Sequence, residues 1–288
     1  MHWIFVGAGN MASSLIGGWI AAGASPDTVT VIDPDESACM RVVERFSINA
    51  SGSVSEAISL EAAHQTGVVI AVKPHIVESV CQQIKDCIGD NCASTQKGQL
   101  LVVSVAAGVR ASSMEKWLPN DVALVRCMPN TPALLGLGAT AMYSNSGCSA
   151  EHRELASKLL DTAGLALWVE EESLLDVVTA VSGSGPAYFF YLIEQMSIAA
   201  EQLGLDTQTA QTLAIETAFG AASMARSGQS EPAVLRENVT SKGGTTAAAL
   251  QVFDNLGAPG IVKAAMQAAH DRAVELGDQL GAPGNEHT

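Results

Sequence analysis

The tightest constraint on this chain is the segment Gly7-Ala8-Gly9-Asn10-Met11-Ala12, which directly follows the apolar run His2-Trp3-Ile4-Phe5-Val6. G-x-G-x-x-A is a weak pattern alone; between a strand and a helix it acquires physical meaning. Gly7 permits a tight turn, Gly9 lets the backbone approach a pyrophosphate, and small Ala12 lets the helix pack closely on the strand. Ala8, Asn10 and Met11 then sit at a helix start, whose free N–H groups and positive dipole end suit phosphates. A strand–turn–helix unit that binds a nicotinamide dinucleotide is expected here.

Asp33 ends the second expected strand, 21 residues beyond Ala12 (33 − 12). An acidic side chain at that place can bind a ribose 2′-hydroxyl and would repel a 2′-phosphate. Asp35 and Glu36 add to the repulsion, so the residues lean towards NADH over NADPH. The other reading of Asp33 is a cap for the helix that follows Pro34.

Strands are expected at residues 2–6, 28–33, 68–72, 100–105 and 122–127, with helices at 10–22, 35–46, 53–65, 75–88 and 111–118. Such alternation predicts a parallel sheet with helices on both faces. Tyr143 and Trp168 are expected near the last edge strands, with a helix over 149–162 between them. Ligands of open parallel sheets bind outside the carboxyl ends of the strands. Val72, Lys73 and Pro74, and Ala106 and Ala107, are therefore expected to line the cofactor; for Lys73 the alternative is an ordinary surface lysine. After about Gly164 strand-like runs give way to Ala-rich helical patterns, at 186–204, at 206–228, and from near Thr246 and Pro259. The expected fold is α/β: a Rossmann-like parallel-sheet domain over residues 1–164, then an all-helical domain over 165–288. The helices' apolar surface is too large to hide in so short a segment, which predicts self-association.

Composition narrows the function. With 48% hydrophobic and 16% charged residues the chain is not disordered. A formal net charge of −15 argues against nucleic-acid or anionic-membrane partners. No run reaches the roughly 18–20 apolar residues of a membrane span, and the first strand starts with no basic leader. The six cysteines form no C-x-x-C pair, so no metal site and a reducing, cytoplasmic setting are expected.

Three further segments are more specific. They are Arg126-Cys127-Met128-Pro129-Asn130-Thr131-Pro132-Ala133, Ala180-Val181-Ser182-Gly183-Ser184-Gly185-Pro186-Ala187-Tyr188 and Val239-Thr240-Ser241-Lys242-Gly243-Gly244-Thr245-Thr246. With the glycine turn and Val72-Lys73-Pro74, this ordered set resembles the pyrroline-5-carboxylate reductase family, from about residue 3 to residue 276. The resemblance implies hydride transfer from NADPH or NADH to the C=N carbon of L-1-pyrroline-5-carboxylate, giving L-proline in the last step of proline biosynthesis. It also implies helical domains that interlock as homodimers, which can gather into decamers. Members often prefer NADPH, so residue and resemblance disagree at Asp33.

Reducing a cyclic imine acid needs a positioned hydride donor, donors for a carboxylate, and a polar group near the nitrogen. The glycines Gly243 and Gly244 expose N–H groups just before a helical run, a ready anion site in an acidic protein. By resemblance Ser241, Gly244 and Thr245 contact the carboxylate and Thr246 hydrogen-bonds the ring nitrogen as the catalytic group; the alternative for Thr246 is a helix cap. Lys242 stands where many relatives carry proline. Asn130 is expected beside the nicotinamide. Ser182-Gly183-Ser184-Gly185-Pro186 opens a long helix, either facing the same cleft or serving only as its cap. Glu194 reads as a surface carboxylate, and the six histidines offer no triad or ligand spacing. A hydroxyacid dehydrogenase of similar plan would place a Lys or His on the long helix. Between Pro186 and Gly204 there is neither. A non-catalytic dinucleotide sensor would have no need of the Ser241-to-Thr246 loop.

Overall fold

The computed structural model describes residues 1–60, 65–89 and 100–281. Its sheet runs through β1 (His2–Val6), β2 (Val29–Ile32), β3 (Asn49–Ala50), β4 (Thr66–Ile70), β5 (Leu100–Ser104), β6 (Ala123–Met128), β7 (Gly138–Ser144) and β8 (Gly164–Trp168). The strand order is β3-β2-β1-β4-β5-β6-β7-β8. Side chains alternate across it, as the pleat requires. Trp3, Phe5, Val69, Val103 and Val125 face α1 (Asn10–Ala21), meeting Ala12, Leu15 and Ile16. Ile4, Val68, Val102 and Leu124 face α4 (Val77–Ile88) and α5 (Ala111–Trp117). Burial on both faces explains why the strands read as continuous apolar runs.

The expected Rossmann-like sheet followed by helices is borne out, with corrections. Neither β3 nor the antiparallel pairing of β6 with β7 was expected. That reversal follows from length, because residues 129–137 are too few for a parallel crossover. Strand-like runs were expected to stop near Gly164, but β8 begins there and pairs parallel with β7; Tyr143 and Trp168 lie on these last two strands, as expected. Between β7 and β8 runs α6 (Ala150–Leu160), with Ser149 and His152 forming a reciprocal cap. The helix expected over 53–65 is α3 (Val54–Leu60); residues 61–64 lie outside the described residues.

Contacts divide the chain into two compact units, Met1–Gly183 with His270–Thr288, and Ser184–Ala269. The division falls after β8 and a short helical stretch rather than at residue 164. That stretch is α7 (Leu174–Val178) followed by a wider π turn, Thr179–Gly183. The second unit holds α8 (Gly185–Gln202), α9 (Thr207–Arg226), α10 (Pro232–Asn238) and α11 (Thr245–Asn255). The last helix, α12 (Ala258–Gly281), begins in this unit. Asp206 caps α9 by accepting from the Thr209 N–H at 3.0 Å; α10 was not expected.

Candidate active site

In the first unit the glycine turn is held from three sides. Gly7 N donates to Ile32 O (2.8 Å) and Ala71 N to Val6 O (2.8 Å), which joins the carboxyl ends of β1, β2 and β4. Gly7 has φ +110°, and a Cβ there would lie 2.5 Å from Ala71 O. Gly9 is the N-cap of α1 and makes no side-chain cap bond. A Cβ on Gly9 would meet nothing within 4 Å. The turn thus presents exposed Gly9 and Asn10, the uncapped N-terminus of a 12-residue helix and open space before it. Those are the features a pyrophosphate needs. The residues present fit a dinucleotide.

Asp33 does something neither sequence reading anticipated. One carboxylate oxygen accepts from Ala8 N at 2.7 Å and the other from Asp35 N at 2.9 Å. It pins the glycine turn to the end of β2. The cap of α2 (Glu36–Phe46) is Asp35, which accepts from the Ser37 and Ala38 N–H groups. The Ser37 hydroxyl, foremost, holds the Asp35 carboxyl below its usual range.

Val72, Lys73 and Pro74 leave the sheet beyond β4, where Pro74 opens a short 3-10 turn and Lys73 is exposed. Val72 packs on the apolar cluster that contains buried Ala106. Pro74 and Ala107 both line a cavity of about 290 Å³, with Arg126 and Asp176 in its wall. The Asn130 amide is engaged at both ends: Nδ2 donates to Ser182 O (3.0 Å) and Oδ1 accepts from Ala139 N (2.9 Å). It fastens the π turn to β7. Ser182 lies within that turn, its hydroxyl donating to Val178 O, and Ser184 makes no cap bond to α8.

Arg126 lies within one of the motifs above but had no expected role, and Glu172 and Asp176 were not expected at all. Arg126 is buried on β6 and its Nη1 donates to Glu172 Oε1 at 2.6 Å. The same oxygen accepts from Ala111 N (2.6 Å), the first residue of α5, whose own N-cap Arg110 supplies no side-chain bond. Asp176 lies 3.9 Å from Arg126 Nη2. Glu172 and Asp176 stand far from Arg126 in sequence, and the motif that contains Arg126 does not mark its partners. Burial pushes the Cys81 and Cys148 thiols up to about 12 and about 11, and raises Cys127 as well, so these are structural thiols. Among the described residues no cluster of three or more His, Cys, Asp or Glu could hold a metal ion.

In the second unit, Ser241-Lys242-Gly243-Gly244 forms the turn before α11. Gly243 takes φ +74°, and Gly244 N donates to Ser241 O at 3.0 Å. Gly244 is the N-cap and carries no side-chain cap bond, so the helix start is open. Ser241 and Thr245 are exposed and Thr246 is half-buried. Thr246 sits one residue inside the helix, so it is not the cap. Its hydroxyl makes no hydrogen bond among the described residues.

The sheet, its glycine turn and the uncapped helix define an oxidoreductase of the nicotinamide-dinucleotide class. Residues 3–108 match the family model described as NADP oxidoreductase coenzyme F420-dependent. Residues 172–276 match pyrroline-5-carboxylate reductase dimerisation. The chain is 45% identical over 277 residues to a pyrroline-5-carboxylate reductase of Pseudomonas aeruginosa, covering 96% of this chain and 97% of that one. An Arabidopsis thaliana reductase of the same name is 32% identical, with 94% of each chain covered. The solved pyrroline-5-carboxylate reductase of Coxiella burnetii superposes with a TM-score of 0.88 at 35% identity, over 96% and 98% of the two chains. That of Plasmodium falciparum, solved with NADP bound, gives 0.79 at 26% over the same shares. This chain belongs to the pyrroline-5-carboxylate reductase family.

Proposed function

We propose that the protein reduces L-1-pyrroline-5-carboxylate to L-proline with NADPH or NADH, the closing step of proline biosynthesis. What carries the reading is a pair of open helix starts in one chain of this family, at Gly9 in the first unit and Gly244 in the second. Each unit carries one part of the chemistry. Gly7, Ala8, Gly9, Asn10 and Met11 hold the pyrophosphate; Asp33, Val72, Lys73, Pro74, Ala106, Ala107 and Asn130 shape the rest of the cofactor bed. When bound, the dinucleotide supplies the hydride. Ser241, Gly243, Gly244 and Thr245 hold the substrate carboxylate on N–H and hydroxyl donors, which offsets the repulsion of a chain of net charge −15. Thr246, whose hydroxyl has no other hydrogen bond among the described residues, orients the ring nitrogen as it gains a proton. The chain works as a homodimer, with dimers able to gather into decamers, and its free thiols suit the cytoplasm. No helix among the described residues is long and apolar enough to cross a membrane.

Oxidation of NADPH and NADH in the presence of pyrroline-5-carboxylate is the direct test; cofactor binding without turnover at neutral pH would sink the reading. Thr246→Val keeps the side chain's shape and removes the hydroxyl. It should lower kcat about 10- to 100-fold, the scale of one lost hydrogen bond in a transition state, about 1.4–2.7 kcal/mol. Dinucleotide affinity should stay within twofold, and unchanged turnover would remove Thr246 from the mechanism. Asp33→Ser should shift the NADPH/NADH ratio of kcat/KM towards NADPH by about tenfold, roughly 1.4 kcal/mol. Both cofactors should also weaken, because Asp33 holds Ala8 N. An unchanged ratio would mean that the carboxylate acts only on the turn.

A further inference from the structure

The cavity that Pro74 and Ala107 line holds a charge that the chain itself leaves unanswered. It measures about 290 Å³, and every residue lining it belongs to the first unit. Its apolar lining comes from Pro74 and Ala107, beyond β4 and β5, and from Leu276 and Leu280 on α12. Asp176 of α7 lines the same space with only 9% of its side chain exposed. Its carboxylate accepts no hydrogen bond among the described residues. Arg126 Nη2 stands 3.9 Å away, too far for a hydrogen bond, and Arg126 is already bonded to Glu172 at 2.6 Å. Thr179 also lines the cavity, but its hydroxyl donates to Leu175 O at 2.8 Å. Two carboxylates thus share one guanidinium, which leaves one negative charge in excess in a largely apolar space. A buried carboxylate without donors is costly, and a ligand that brings one positive charge and N–H groups removes that cost.

We infer that this cavity binds a small ammonium ion with a compact apolar body. The head sets its N–H groups on Asp176, and the body packs against Pro74, Ala107, Leu276 and Leu280. The volume lies just below the range of drug-sized sites, so the ligand is small. A carboxylate on the ligand would add a further negative charge beside Asp176, so amino acids are excluded. The chemistry is the reverse of the substrate loop proposed above, which offers N–H and hydroxyl donors to a carboxylate. The dinucleotide supplies a rival occupant, because its oxidised ring is also a cation and Pro74 and Ala107 belong to the proposed cofactor bed. The charged nitrogen of that ring carries no N–H, however, and an ammonium answers Asp176 with both charge and donors.

Calorimetric titration of the full chain tests this, with cyclohexylammonium as the probe and cyclohexanol as its neutral control. At pH 8 the exposed His75 beside the cavity is neutral and does not repel the probe. The wild type should bind the ammonium with roughly millimolar affinity, at least about tenfold more tightly than the alcohol. Asp176→Asn keeps the shape and removes the charge, and should bring the two ligands within about threefold of each other. Leu276→Lys places an ammonium of the chain's own in the same lining, and should weaken probe binding at least about tenfold. Leu276 is 37% exposed, so this second change stays at the surface and decides the matter if Asp176→Asn does not fold. No binding by the wild type at about 20 mM probe overturns the inference. So does a folded variant of either kind that binds the probe as the wild type does. Competitive displacement of the probe by NAD+ or NADH assigns the cavity to the dinucleotide and overturns the amine reading. None of these measurements reads turnover, so the proposed reductase activity stands or falls separately.

Discussion

Gly7→Ala is expected to weaken NADPH and NADH binding at least 100-fold, with reductase activity lost in proportion. Gly7 sits at φ +110°, where a side chain is strained by about 1–3 kcal/mol. The new Cβ would also stand 2.5 Å from Ala71 O and 2.8 Å from Ala71 C. Both are main-chain atoms at the end of a buried strand, so no flexible side chain can give way. The turn itself must move, and it carries Ala8 N, whose 2.7 Å bond to Asp33 sets the direction of the following N–H groups. Misaiming several donors at a pyrophosphate readily exceeds the roughly 2.7 kcal/mol that 100-fold represents. Gly9→Ala separates fold from function. Gly9 has φ −75°, and its Cβ would meet nothing within 4 Å. The free protein should keep its melting temperature within about 1 °C, as a neutral surface change does. Cofactor affinity should still fall about tenfold or more, because that methyl occupies the approach of the pyrophosphate. Calorimetric titration with NADPH checks both. Binding by Gly7→Ala within threefold of wild type would remove the glycine turn from the cofactor site.

The turn was legible because all its causes are local. A strand-length apolar run, two glycines and a small residue one helical turn later act within twelve residues, and β1 and α1 fall where they were expected. The Asp206 cap and the open start of α11 are local in the same way. What escaped the sequence depends on partners distant in the chain. The antiparallel turn into β7 hangs on a short connection fastened by Asn130, whose two partners lie 9 and 52 positions away. β8 was legible only through Trp168, expected near an edge strand; its bounds were not, because only one of its faces is buried and Gly-Leu-Ala-Leu-Trp looks no different from a helical fragment. Asp33 was read as facing the ligand or capping a helix. Its bond to Ala8 crosses 25 positions and follows from strand order, which spacing does not encode.

Glu172→Ala is expected to cost about 3 kcal/mol of stability, and the loss should come from two places at once. The first is Arg126, whose side chain is only 6% exposed and whose one close carboxylate is Glu172 at 2.6 Å. Removing one partner of a buried pair strands the other charge, which costs about 3–5 kcal/mol in dry surroundings. The figure is discounted here because Glu172 is 22% exposed and Asp176 remains 3.9 Å from the guanidinium. The second is the start of α5, where the same oxygen accepts from Ala111 N and Arg110 supplies no side-chain cap; losing a cap costs about 1 kcal/mol. For a chain of this size about 3 kcal/mol lowers the melting temperature by roughly 6–12 °C. Glu172→Gln keeps an acceptor for both donors and loses only the charge, so its effect should be about half as large. The pair Arg126→Met with Glu172→Gln should be less harmful than the sum of its single changes, because no buried charge is then left alone with a distant partner. Calorimetric melting of the wild type, the three single variants and the double variant at one fixed protein concentration reads all five proteins, since any dimer makes the transition concentration-dependent. A Glu172→Ala protein melting within 2 °C of wild type would show that Arg126 finds its compensation in Asp176 alone, and that the tie between α5 and the residues before α7 is structurally idle.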